Sequence, residues 1–347
     1  MDLLLDCQEL RRRGLLSQLQ LQEYESILKS TSSPPDDICK RLSSILVQEM
    51  DAIIECVRVQ SNQQKQGTID NSDLTALAVG GALGALNAWM WPTSSLTATN
   101  KTTSLWASAY DGAIATLNVA KRKRRVQQLQ LKLLSGNVAT SSHVVFCING
   151  FMTQSDDPLR NWRVWIEDDK DAAVFAVQWE AGDVAAWNEF CSHVNDTLDS
   201  SSVSSMVAHF TENPWHSAQG KAEQVGMLLA QMLSQRPVSL RGRKISMFGH
   251  SLGGAVIYNV FQELARIRSE NKATELPQIT NAVSFAGAFI PDTQGLDNVM
   301  HGLDPIEGKF VNVYSTRDGV LSKLFWALQL PVYGGYKISC ATSFISK

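Results

Sequence analysis

The sequence predicts an α/β fold: a mostly parallel sheet with helices on both faces, preceded by an α-helical, partly hydrophobic N-terminal region. Three observations predict it. After residue 140, short β-rich runs alternate with helical segments, the pattern of strands joined by helical crossovers. One of those runs, Lys244–Phe248, leads straight into Gly249-His250-Ser251-Leu252-Gly253 and then into an apolar stripe at helical spacing. Residues 1–66, by contrast, hold a single glycine, Gly14, and carry Leu, Ile and Val at helical intervals.

The elements follow in order. In residues 1–66 the apolar spacing, for example Ile45, Met50, Ile53, Ile54 and Val57, predicts two or three helices, broken at Ser32-Ser33-Pro34-Pro35-Asp36-Asp37. Paired prolines interrupt a helix, and Ser or Asp caps the next. Gln60–Gly67 reads as a polar linker. A second segment, 67–130, contains 27 consecutive uncharged residues from Leu74 to Asn100, long enough to cross a hydrocarbon core of about 30 Å. Gly80 and Gly84 offer a small-residue packing face, and Trp89 and Trp91 suit a membrane interface. The same composition also fits a buried Ala/Gly-rich helix covering a neighbouring domain. A weaker apolar stretch, Ser104–Ala120, ends in Lys121-Arg122-Lys123-Arg124-Arg125, which reads either as a face for anionic lipid headgroups or as a solvated helix end. From 131 to 347 the expected strands are His143–Ile148, Ala173–Gln178, Lys244–Phe248, Ile279–Ala286, Phe310–Tyr314 and Tyr336–Thr342.

Composition narrows the function classes. A net charge of −3 over 347 residues gives no basic footprint for nucleic acid. The six cysteines (7, 39, 56, 147, 191, 340) contain no C-x-x-C pair, so neither zinc nor a disulfide framework is indicated, and no cofactor is expected. Arg11, Arg12 and Arg13 follow the short apolar run of the N-terminus, the reverse of a signal peptide's charge order, which argues against secretion by that route; with the uncharged stretch 74–100 and the basic cluster 121–125, an intracellular, membrane-associated chain is expected.

A bare G-x-S-x-G arises by chance in about one chain of this length in ten, so its setting decides. Here a strand precedes it, and the helix after it places Val256, Ile257, Val260, Phe261 and Leu264 on one stripe. Strand, sharp turn and helix make the nucleophile elbow of α/β-hydrolases, in which a strained turn exposes the serine hydroxyl at a helix N-terminus. Ser251 is therefore the candidate nucleophile; the alternative is an incidental Gly-rich turn. The oxyanion hole would use the N–H of Leu252 and a second N–H from the loop after the strand ending Ile148-Asn149-Gly150-Phe151, assigned to Phe151 or else to Met152. Asn-Gly also suits a plain strand-end turn. Asp318, just past the apolar run Val311–Tyr314, is the candidate acid, with Asp292 the alternative.

The histidine is harder to find. His301 alone follows Ser251, and it precedes Asp318 instead of following the last strand. His250 adjoins the nucleophile and fits an elbow-shaping role better than a base. His143, His193, His209 and His216 come before the elbow in the chain.

Taken together, Ile148-Asn149-Gly150-Phe151, Trp179-Glu180, Asn213-Pro214-Trp215, Arg236-Pro237-Val238, Gly249-His250-Ser251-Leu252-Gly253-Gly254 and Asn312-Val313-Tyr314-Ser315-Thr316-Arg317-Asp318 resemble the transmembrane and coiled-coil domain-containing family of α/β-hydrolase lipases. The resemblance covers roughly residues 70–335. It implies Ser251 as nucleophile, Asp318 as acid, a lipid or carboxylic ester as substrate, and hydrophobic segments just before the hydrolase domain. Members continue past the last strand into a Gly-His segment that supplies the triad histidine. This sequence lacks that segment, which leaves a catalytically impaired scaffold that anchors membranes or protein partners as the competing expectation. A peptidase or thioesterase would use the same elbow.

Overall fold

The computed structural model describes residues 3–31, 34–64, 125–169, 171–185, 187–189, 192, 214–270 and 276–318. The elements run α1 (Leu3–Arg12), α2 (Gln18–Ser30), α3 (Asp36–Gln64), β1 (Leu129–Ser135), β2 (His143–Ile148), α4 (Pro158–Asp168), β3 (Ala172–Trp179), α5 (Pro214–Ser234), a 3-10 turn (Val238–Leu240), β4 (Lys244–His250), α6 (Leu252–Glu270), β5 (Asn281–Phe285), α7 (Thr293–Gly302) and β6 (Lys309–Val313). The uncharged stretch Leu74–Asn100, the basic cluster at 121–125 apart from Arg125, and the expected strand Tyr336–Thr342 lie outside the described residues. Among the described residues no helix is long and apolar enough to cross a membrane.

The six strands form one sheet in the order β1-β3-β2-β4-β5-β6. β1 runs antiparallel to β3, and every other neighbouring pair is parallel. Five expected strands are present within two residues of their expected ends. β2 and β3 are buried along almost their whole length, as strands covered on both faces must be. β6, at the sheet edge, alternates between exposed and half-buried residues. The expected stripe on α6 is fully buried: Val256, Ile257, Val260, Phe261 and Leu264 have no solvent exposure.

β1 is an element that sequence reasoning missed, and its signal was present. Leu129, Leu131 and Leu133 alternate with Gln130 and Lys132, a period of two that places Leu129 and Leu131 in the core and leaves Gln130 and Lys132 exposed.

The chain divides into two compact units: 1–60 with 126–183 and 222–347, and 61–125 with 184–221. The boundary therefore differs from the sequence expectation of 1–66, 67–130 and 131–347, because the N-terminal helices belong to the same unit as the sheet. Buried charge joins them. Asp6 on α1 is 3% exposed and bonds Arg241 at 2.9 Å and Arg243 at 3.2 Å, just before β4. Glu49, buried on α3, accepts the backbone N–H groups of Val238 (3.0 Å) and Ser239 (3.3 Å) and pairs with Arg13 at 2.9 Å. The apolar stripe Leu42, Leu46, Met50, Ile54 and Val57 completes the buried side of α3. In the second unit, the described part of α5 buries Trp215 and Ala218.

Candidate active site

β4 ends at His250 and α6 begins at Leu252, so Ser251 is the whole turn between them. Its φ is +53°, a left-handed value that costs an L-residue about 1–3 kcal/mol and persists only where neighbours enforce it. Three backbone hydrogen bonds do so here. Ser251 N–H donates to Phe285 O at 2.8 Å, and Ser251 O accepts from Gly254 N and Ala288 N, both at 3.0 Å. The turn also needs room. A Cβ on Gly253 would overlap the Ile148 carbonyl oxygen, so only glycine lets α6 start this close to β2. The N-terminal end of α6 directs its partial positive charge at the turn, and the Leu252 N–H, first in the helix, has no intrahelical acceptor.

The loop after β2 lies against this turn. A Cβ on Gly150 would overlap His250 O and stand 2.6 Å from Ser251 Cβ. The loop is held from several sides. Trp162 Nε1 of α4 donates to Asn149 Oδ1 at 2.5 Å, Trp179 Nε1 at the end of β3 donates to Asn149 O at 3.1 Å, and Thr153 Oγ1 donates to Gly150 O at 2.6 Å. Met152 N–H donates to Ala181 O at 3.1 Å, which removes Met152 from the pair of oxyanion candidates. The Phe151 ring lies over Gly182.

Asp318 is half-buried in a turn closed by its own N–H to Ser315 O at 3.1 Å, at the same edge of the sheet as Ser251. Its charge reaches His250. Burial pushes the His250 pKa below 6.5 although part of the ring meets solvent, and the Asp318 carboxylate pulls it back up. Asp292, the alternative acid, is committed elsewhere: its carboxylate accepts Gly295 N–H at 2.6 Å as the N-cap of α7.

His301 does not reach the elbow. It sits exposed in the last turn of α7, and its Nδ1–H donates to Asp297 O at 2.6 Å. The adjoining Gly302 O accepts from Ile279 N at 3.1 Å, two residues before β5 begins. Ser251 is tied to Phe285, where β5 ends. Six residues of strand at about 3.3 Å each separate the two places, so His301 stands about 20 Å away, at the opposite edge of the sheet. The expectation of His301 as base is corrected on that ground. His143 occupies the same far edge, with Nδ1 on Asp169 Oδ2 at 2.9 Å and Nε2 on Ser246 Oγ at 2.8 Å. Ser246 is fully buried, so this array secures a core hydroxyl. Nothing in the sequence marks that pairing, whose members are 26 and 103 residues apart. Among the described residues no histidine ring hydrogen-bonds Ser251 Oγ, and no group of three or more His, Cys, Asp or Glu side chains could hold a metal.

Residues 201–345 match a family model described as protein of unknown function, DUF726. The match contains both the elbow and Asp318. The chain is 27% identical over 241 residues to an uncharacterised membrane protein of Schizosaccharomyces pombe, covering 63% of this chain and 29% of that protein. It is 27% identical over 251 residues to the transmembrane and coiled-coil domain-containing protein STS1 of Oryza sativa subsp. japonica, covering 64% and 35%. It is 22% identical over 258 residues to a Saccharomyces cerevisiae protein named probable lipase MIL1, covering 68% and 23%. The chain thus spans between 23% and 35% of the length of these relatives. The resemblance read from the motifs holds, since one relative carries that family name. Among solved structures, a lipase-esterase related protein from Clostridium acetobutylicum aligns at 14% identity and a TM-score of 0.23, over 58% of this chain and 64% of that one. An esterase from Thermogutta terrifontis aligns at 13% identity and a TM-score of 0.29, over 59% and 73%. The α/β-hydrolase architecture rests on the chain's own sheet and its strand–turn–helix unit.

Proposed function

We propose that this chain is a serine hydrolase of lipid or carboxylic esters. Ser251 is the nucleophile, the N–H groups of Phe151 and Leu252 form the oxyanion hole, and Asp318 is the acid. The observation that carries the reading is the left-handed turn at Ser251, held between β4 and α6 with the Gly150 peptide against it. A serine strained in this way, at a helix N-terminus and beside a second loop of backbone amides, has the arrangement acyl transfer requires.

Ser251 Oγ attacks the ester carbonyl while its proton passes to a histidine, and the two amides take up the charge on the carbonyl oxygen. The carbon–oxygen bond to the alcohol breaks, and the alcohol leaves with that proton. Water then releases the acid and regenerates the hydroxyl. Of the histidines whose rings are described, His250 alone stands at the elbow edge, where burial lowers its pKa and the Asp318 carboxylate offsets part of that shift. The membrane-protein and lipase names of the relatives support a lipid substrate met at a membrane, through 74–100 and the basic cluster 121–125.

A fluorophosphonate probe is expected to label the wild-type chain, and Ser251→Ala to abolish both labelling and turnover of short acyl esters. No labelling of the folded chain overturns the enzyme reading. One observation favours a second reading, a hydrolase scaffold with impaired turnover that serves membrane or protein partners: no described histidine hydrogen-bonds Ser251 Oγ. Labelling at Ser251 without turnover of oxygen esters, thioesters or amides would support the scaffold. A profile favouring thioesters or amides over oxygen esters would move the substrate class.

A further inference from the structure

The peptide that would supply the second oxyanion donor is one rigid group, the Gly150 carbonyl and the Phe151 N–H. Described peptide bonds are all trans, so these two dipoles point in opposite directions and cannot be aimed separately. Whatever holds the carbonyl therefore sets the N–H. Thr153 Oγ1 donates to Gly150 O at 2.6 Å. One residue earlier, both carbonyl groups of Asn149 are fixed by indole donors from different elements, Trp162 of α4 and Trp179 of β3, and both indoles are at least 95% buried. On the other side the chain is closed by Met152 N–H to Ala181 O and Gln154 N–H to Gly182 O at 3.2 Å. The Gly150 peptide is thus clamped ahead, behind and along its own carbonyl, while its Cα faces Ser251.

We propose that Thr153 is a positioning residue for ester hydrolysis: its hydroxyl holds the Gly150 carbonyl and thereby aims the Phe151 N–H at the developing oxyanion. The proposal rests on the reading of Ser251 as nucleophile. It also accounts for the geometry of the clamp. The indoles anchor the loop as a body, and the Thr153 hydroxyl is the only bond in the set made to the donor peptide's own carbonyl.

The experiment compares Thr153→Val, which keeps the shape and removes the hydroxyl, with Thr153→Ser, which keeps the hydroxyl. Removing an oxyanion donor outright costs about 10²–10³ in kcat; misaiming one should cost less, about 10–100-fold. Thr153→Val is expected to lose that much kcat with KM changed less than about twofold, and to lose a similar factor in affinity for a trifluoromethyl ketone, whose adduct carries the oxyanion. Thr153→Ser is expected to stay within about threefold of wild type in both. The inference is overturned if Thr153→Val keeps wild-type kcat, if the two variants fall together, or if the loss lies in KM. Ser251→Ala, assayed alongside, separates the two failures. If it abolishes turnover while Thr153→Val does not change it, only the positioning role falls. If Ser251→Ala turns over normally, or the wild-type chain neither labels nor turns over, both fall.

Discussion

Removing the Asp6 carboxylate tests whether the N-terminal helices are structurally part of the sheet unit. Arg243 has a side chain with no solvent exposure, and Asp6 is its ionic partner at 3.2 Å. In Asp6→Ala the guanidinium keeps its carbonyl acceptors Ser141 O (3.2 Å), Val238 O (3.1 Å) and Arg241 O (3.3 Å) and the weaker attraction of Glu49, but loses its ion-pair partner. Breaking a buried pair by deleting one partner costs about 3–5 kcal/mol, and the surviving hydrogen bonds argue for the lower end, about 3 kcal/mol. Arg241, 45% exposed, adds little because solvent already screens it. For a unit of this size each kcal/mol shifts Tm by about 2–4 °C, so the expected drop is about 6–12 °C. Urea titration gives the free energy directly, and the double variant Asp6→Leu/Arg243→Met should recover most of it, since an apolar pair of similar volume replaces both charges. A loss below about 1 kcal/mol for Asp6→Ala would refute the reasoning, since it would mean that α1 leaves the unit without exposing Arg243 to any cost.

Other outcomes follow from the same structure. Burial holds the Cys7 thiol up at about 12 and raises Cys147 as well, so in the folded chain iodoacetamide should modify exposed Cys56 and spare both; peptide mapping that finds Cys7 or Cys147 alkylated before unfolding would contradict their burial. Burial also raises the Glu49 carboxyl above 4.5. The folded state then keeps a proton that the unfolded chain releases, so this contribution is full below pH 4.5 and is lost as pH rises through the raised folded value. Glu49→Gln should flatten the stability–pH curve over that interval, and an unchanged slope would count against it. Asp318→Asn should move the His250 pKa further down, read from its imidazole proton shifts by NMR; no movement would separate Asp318 from the elbow. Gly150→Ala forces a Cβ against His250 O and Ser251 Cβ, so it should cost about 1–3 kcal/mol in stability and at least tenfold in kcat, and unchanged kinetics would remove the loop from the reaction.

What could be read from the sequence was what local pattern enforces. β2 and β4 carry apolar runs because they lie inside the sheet, and α6 shows its stripe because Val256, Val260 and Leu264 all face it, so the elbow could be built from residues 244–264 alone. β1 escaped because its alternation follows a basic cluster and its partner, β3, is antiparallel and far along the chain, starting at Ala172. The union of α1 and α3 with the sheet unit was hidden for a related reason. Asp6 and Glu49 look like ordinary surface acids in a helical sequence, and their partners lie 237 and 189 residues away.

His301 is the instructive case, because topology argues against it before any distance is measured. In a parallel sheet every strand ends at one edge, and each returning helix must carry the chain back to the other edge to begin the next strand. Residues at a strand's end or in the loop just after it gather beside the elbow; residues in the last turn of a returning helix gather opposite. Ser251 follows β4, Gly150 follows β2 and Asp318 follows β6, so all three share an edge. His301 closes α7 eight residues before β6 opens, and Ile279, paired with the residue after it, stands where β5 begins. A histidine able to serve Ser251 must therefore come from the end of a strand, as His250 does, or from a segment laid across that edge. That requirement follows from connectivity alone, and the position of Asp318 just after a strand meets it where the position of His301 does not.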